Sequence, residues 1–264
     1  MTVRRLLGVL LCVAALGSAS ARAQSSVWID ELTWTEVRDA IAAGRDTALV
    51  YAGSSEQNGP HLVIGKHNVV ARAAAERIAR TLGNALVYPV LPYAVTGDAA
   101  ARTEHMAYPG SVTLLPEVYF GVVWSIARSA LAAGFRHVAV MGDHGDGQDQ
   151  LERAVRALAP EAARRGARVQ YVGELYAATE ADFAALLRAR GLPADDGHAG
   201  IADTAVLLYL QPSAVRAQRI AEATPATGVA GQPALATAEL GERYLELKVR
   251  NAVQAIRQAN AAAR

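Results

Sequence analysis

The chain has 264 residues, 52% hydrophobic and 19% charged, with one Cys and a formal net charge of +1. That length and apolar content exclude a disordered chain and a disulfide-stapled miniature, and they suit one large α/β domain or two small ones. No Lys/Arg block follows the first five residues, so nucleic-acid binding has no electrostatic footprint; one Cys supports neither a disulfide framework nor a Cys-rich zinc module.

In chain order, Arg4 and Arg5 precede an apolar run from Leu6 to Gly17, and Ala21-Arg22-Ala23 places small residues at a cleavage site. The run is too short to span a bilayer, so residues 1–23 read as a signal peptide cleaved after Ala23. Cleavage would also remove Cys12 and three arginines, leaving a thiol-free, slightly acidic chain suited to an oxidising compartment. The expectation is a periplasmic or secreted protein, off the membrane once cleaved, with residues 24–264 as a single domain.

The spacing then predicts a helix over Trp34–Ala43, a buried strand over Ala48–Ala52 that stops at Gly53, and a helix over Val69–Leu82. A second strand, Ala85–Val90, meets Pro89 and Pro92. Residues 94–110 read as irregular, with a short strand over Val112–Leu115. Pro116 opens a helix over Glu117–Ala133, which Gly134 ends. Then come a strand His137–Met141, a helix Gln148–Arg164 and a strand Arg168–Val172. Helices over Ala181–Arg190, Ile201–Leu210 and Ala236–Ala262 follow, with a Gly/Pro/Thr-rich loop over Ala221–Ala234. Strands alternating with helices of this length predict a mostly parallel sheet covered on both faces.

In such sheets ligands sit beyond the carboxyl ends of the strands. Five of the six histidines (His61, His67, His105, His144 and His198) fall in or beside Gly-rich loops there, whereas His137 reads as a strand-edge residue. Imidazoles beside Glu56, Asp143 and Asp146 suit a zinc or manganese ion with an open position for water. A phosphate cradle is disfavoured by Asp143, Asp146 and Asp149, which would repel an anion, and by the lack of Gly-x4-Gly-Lys-Ser/Thr. Gly-x-Ser-x-Gly is absent too.

Glu56-Gln57-Asn58-Gly59-Pro60-His61-Leu62 resembles the Glu-Gln-His-Gly-Pro-His-Leu segment of the creatininase (creatinine amidohydrolase) family. Three further stretches agree in order: Glu104-His105-Met106-Ala107-Tyr108-Pro109-Gly110-Ser111, Gly142-Asp143-His144-Gly145-Asp146, and His198-Ala199-Gly200-Ile201-Ala202-Asp203-Thr204. The resemblance runs from about Leu32 to Leu210. It implies a three-layer α/β/α sandwich, often hexameric, that hydrolyses C–N bonds of small amides or cyclic amides through a metal-activated water.

By resemblance, one metal would be held by Glu56, His67 and His144, and a second by Asn58, His67 and Asp146. The family's bridging carboxylate is His67 here, and a neutral imidazole offers one lone pair where a carboxylate spans two cations. Asn58 is a poor zinc ligand beside the His that it replaces. The expectation is therefore one ion per chain, on Glu56, His67 and His144, with Asp146 as a further ligand or as the group that orients or deprotonates the water. His198 is expected to assist departure of the nitrogen, and Asn58, His105 and Tyr108 to contact substrate. His61 reads as loop architecture. The alternative is a degenerate relative that binds a small molecule or partner without turnover.

Overall fold

The computed structural model describes residues 26–194 and 197–261. The signal-peptide reading, the Asp195-Asp196 pair and the last residue of the final helix lie outside that range. Among the described residues, no helix is long and apolar enough to cross a membrane.

Four strands, β1 (Thr47–Ala52), β2 (Ala85–Val87), β3 (His137–Gly142) and β4 (Arg168–Tyr171), form one parallel sheet in the order β2-β1-β3-β4. Every residue of β1 is buried, as its unbroken run Thr-Ala-Leu-Val-Tyr-Ala requires of a strand covered on both faces. The strand's two-residue period divides the core. Leu49 and Tyr51 join Ala139 and Met141 on one face, and Ala48, Val50 and Ala52 join Val138 and Val140 on the other. The first face is covered by α2 (Lys66–Leu82), α5 (Ala177–Ala189), α6 (Ile201–Leu210) and α7 (Ala238–Ala261). The second is covered by α3 (Pro116–Ala133) and α4 (Gln148–Arg164), with α1 (Trp34–Ala42) at its margin. This is the three-layer α/β/α sandwich.

Several boundaries differ from the sequence reading; α5, for one, begins four residues early, at Ala177, and three other differences bear on the site and its surroundings. β2 ends at Val87 because Pro89 has no N–H to donate, although Tyr88 and Leu91 still donate to Leu49 and Tyr51 of β1 at 3.0 and 3.1 Å. Residues 112–115 form only a bridge, Ala94 to Thr113. Helix α2 begins three residues early, which brings Lys66 and His67 into its buried first turn.

Chain direction places the site. From β1 the chain crosses to β2 on one side and returns to β3 on the other, so the carboxyl ends of β1 and β3 flank a topological switch point. At the back, α7 packs on α6 so closely that a Cβ on Gly241 would enter the backbone of Ala205 and Val206. That contact brings the middle of α7, including Lys248, toward the strand ends.

Candidate metal centre

The loop leaving β1 turns sharply and is stapled from within. Glu56 N donates to Ile64 O at 3.1 Å, and the Asn58 amide donates to Glu56 O at 2.8 Å and to Val63 O at 3.4 Å. The turn needs Gly59, whose φ is +65°. Glu56 is thereby driven inward to full burial at the switch point.

Four imidazoles surround its carboxylate. His144 Nε2 lies 2.7 Å from Oε2, and His67 Nε2 lies 3.0 Å from Oε1. His105 Nε2 and His198 Nδ1 are each 3.9 Å from Oε1. Ser54 Oγ donates to Oε2 at 2.7 Å. The outward nitrogens are held in turn: His67 Nδ1 donates to Asp143 Oδ2 at 2.8 Å, and His144 Nδ1 faces the Asp146 carbonyl at 3.3 Å. Such outer partners fix imidazoles that ligate metals. Among the described residues, the donor atoms of Glu56, His105 and His144 all lie within 4.8 Å of one another, so these three can close on one ion.

Behind this ring lies a buried ionic network that the sequence reading missed. Asp143 accepts from Tyr51 OH at 3.0 Å and lies 2.9 Å from Lys248 Nζ, off the line of a good hydrogen bond. Lys66 Nζ donates to Asp203 Oδ2 at 2.6 Å, and the Ala199 N–H donates to the same oxygen at 2.8 Å. Ala199 has φ +56°, a strained backbone that this bond secures beside His198. The missed signal was on α7. Gly241, Leu245, Lys248, Ala252 and Ile256 recur at helical spacing on one buried stripe, and a Lys in such a stripe requires a buried anion.

Charge sets the titration. Burial opposes ionisation of Glu56 and Asp143, but His67 with His144 at Glu56, and Lys248 with His67 at Asp143, hold each carboxyl well below its ordinary range. Burial and Lys66 disfavour a charged His67, yet Glu56 and Asp143 outweigh them and raise its pKa. Asp203 overcomes its own burial through Lys66 and is held down to about 2. Burial, with Lys66 next, pushes His198 down to about 4, and burial lowers His105. Both rings are therefore neutral at neutral pH.

The structure brings Glu56, His67, His105, His144, Asp146 and His198 around one cavity of 280 Å³. Asp146 reaches it from an exposed position. Asn58 and Tyr108 are not among its lining residues: Asn58 is spent on the loop, and Tyr108 is half-buried beyond the turn Glu104–Ala107. His67, expected as a ligand, is not in the convergent group of three, and carboxylates face both of its nitrogens. His61, buried and bonded to Thr204 Oγ1 at 3.0 Å, is loop architecture.

Fold and site together define a three-layer α/β protein with a histidine–carboxylate cluster of metal-binding type at its switch point. The family described as "Creatininase: Creatinine amidohydrolase" matches residues 30–256, and the chain belongs to it. It is 26% identical over 254 residues to a creatinine amidohydrolase of Pseudomonas putida, covering 88% of this chain and 97% of that protein. It is 27% identical over 235 residues to a mycofactocin precursor peptide peptidase of Mycobacterium ulcerans, covering 79% and 83%. A solved structure titled "Creatininase Mn" superposes with a TM-score of 0.72 at 25% identity, covering 89% of this chain and 99% of that one.

Proposed function

We infer that the protein is an exported, metal-dependent amidohydrolase that cleaves a C–N bond of a small amide or cyclic amide. The observation that carries this reading is the Glu56 carboxylate, buried among four imidazole nitrogens beside a cavity of small-molecule size. One zinc or manganese ion per chain suits the donors: Glu56 and His144 would hold it, and His67 or His105 would complete three protein ligands. A second ion does not fit, since the Asn58 amide is committed to backbone carbonyls and Asp143 already claims His67 Nδ1.

A divalent ion supplies Lewis acidity toward the amide carbonyl and a water activated for attack. The chain's own groups do the rest. Asp146 orients the water from the cavity edge. His198, neutral and with its Nδ1 toward the cavity, takes a proton there and returns it to the departing nitrogen. Export predicts that the isolated protein begins at Gln24, which N-terminal sequencing reads.

A second reading, a binding protein without turnover, is favoured by one observation. Glu56, Asp143 and Asp203 are balanced by Lys66, Lys248 and a protonated His67, so the cluster is electrically closed without an ion. The deciding experiment loads the purified protein with zinc or manganese and offers creatinine, linear amides and short peptides. The enzyme reading predicts turnover that chelation and His144→Ala each abolish. No turnover on any of these compounds would favour the binding protein.

A further inference from the structure

His105 and His198 pack against one another in the cavity wall, with ring centroids 4.5 Å apart and planes tilted by 56°. A single residue, Gln57, touches the outward nitrogen of each. Its side-chain orientation is fixed by backbone groups of known polarity: Oε1 accepts from Gly59 N–H at 2.8 Å, and Nε2 donates to Gly228 C=O at 3.1 Å. Flipping the amide would set like against like at both ends. The remaining Nε2 proton therefore points at His105 Nδ1, 3.2 Å away, which must accept it. On the other side, the backbone carbonyl of Gln57 lies 2.9 Å from His198 Nε2 and can only accept, so that nitrogen must donate.

We propose that Gln57 is a positioning residue that sets complementary roles for the two rings: His105 presents an N–H to the cavity, and His198 presents a bare nitrogen. Both rings carry the proton on Nε2, but they are turned oppositely. His105 directs its Nε2–H toward the side of Glu56 Oε1, and His198 directs its Nδ1 lone pair there. Within the hydrolytic reading, on which the assignment of roles rests, His105 donates to the amide oxygen as negative charge builds on it. His198 is the acceptor that handles the proton. His105, lacking a lone pair on Nε2, then drops out of the convergent group, and His67 would become the third protein ligand once its Nε2 gives up the hydrogen bond to Glu56. Reducing His105 to a ligand would require the Gln57 amide to turn against Gly59 N–H and Gly228 C=O.

The test is the tautomer itself. Metal-free protein labelled with ¹⁵N-histidine gives two-bond ¹H–¹⁵N patterns that distinguish Nε2–H from Nδ1–H rings, and His105→Gln and His198→Gln assign the two signals. The expected result is Nε2–H for both. A protonated Nδ1 on neutral His105, or on neutral His198, overturns the proposal. Gln57→Glu supplies the second arm. A carboxylate at that position can only accept a hydrogen bond, from His105 Nδ1–H, so His105 should switch tautomer while His198, held by the unchanged backbone, does not. Loss of the donor should lower kcat by about 100-fold with little change in KM, the scale for removing one such hydrogen-bond donor. An unswitched His105 in the folded variant refutes the role of Gln57. The expected tautomers in a protein that turns over no amide would leave the positioning intact and refute the hydrolase reading alone.

Discussion

Lys248 is fully buried on α7, and its ammonium lies 2.9 Å from Asp143, which is itself nearly sealed from water. At an effective dielectric of about 20, a pair this close attracts by about 6 kcal/mol, most of it offset by desolvating the two ions. Replacing Lys248 with Met keeps the apolar stem and removes the charge. Asp143 would then be left with Tyr51 and His67 as its donors, at 3.0 and 2.8 Å. Breaking one side of a buried pair costs about 3–5 kcal/mol, and the two surviving donors place the loss at about 3. In a chain of this size that lowers Tm by about 6–12 °C, readable by thermal melts and by urea titration. Adding Asp143→Asn should recover part of the loss, so the double variant should be less destabilised than the sum of the two singles. A loss under about 1 kcal/mol, or strict additivity, would refute the view that this pair anchors the network behind the site.

Gly241→Ala should destabilise by about 3 kcal/mol, because the new methyl meets backbone of α6 rather than a movable side chain; a neutral melt would show that α7 does not need this close approach. Acid should weaken the fold in two stages. The unfolded His198 takes a proton near its ordinary pKa of 6.5 but the native ring only near 4, so protons favour unfolding as pH falls through that window, by up to about 3 kcal/mol. His198→Asn should flatten this limb of the stability curve, and an unchanged limb would mean that the ring is not held neutral. The second stage comes from Asp203, whose contribution is present above its ordinary value of 3.8 and is lost as pH falls toward about 2; Asp203→Asn should remove that limb.

The sandwich was legible because β1 and β3 are short apolar runs ending in polar loops, and because a 3.6-residue period marks the long helices. The motif loops gave the histidines. What escaped was set by long-range geometry. Asp143 in a Gly-rich loop looks like an ordinary turn residue until Lys248, more than a hundred residues later, is brought against it by the Gly241 contact. His105, expected at the substrate, has a proton position that depends on Gly228, which lies in a loop of weak pattern. Asn58 read as a pocket residue by its place in the motif, and the fold turns its amide to backbone carbonyls instead. The short strand over 112–115 dissolved into one bridge because its single contact with Ala94 does not extend into a ladder.

The central claim is that the carboxylate ring holds one divalent ion. The most direct test is metal content by plasma mass spectrometry on the purified protein, beside His144→Ala and His67→Ala. The account predicts about one zinc or manganese per chain, lost in both variants. Two ions per chain would contradict the single-site assignment, and none after reconstitution would contradict the metal centre itself.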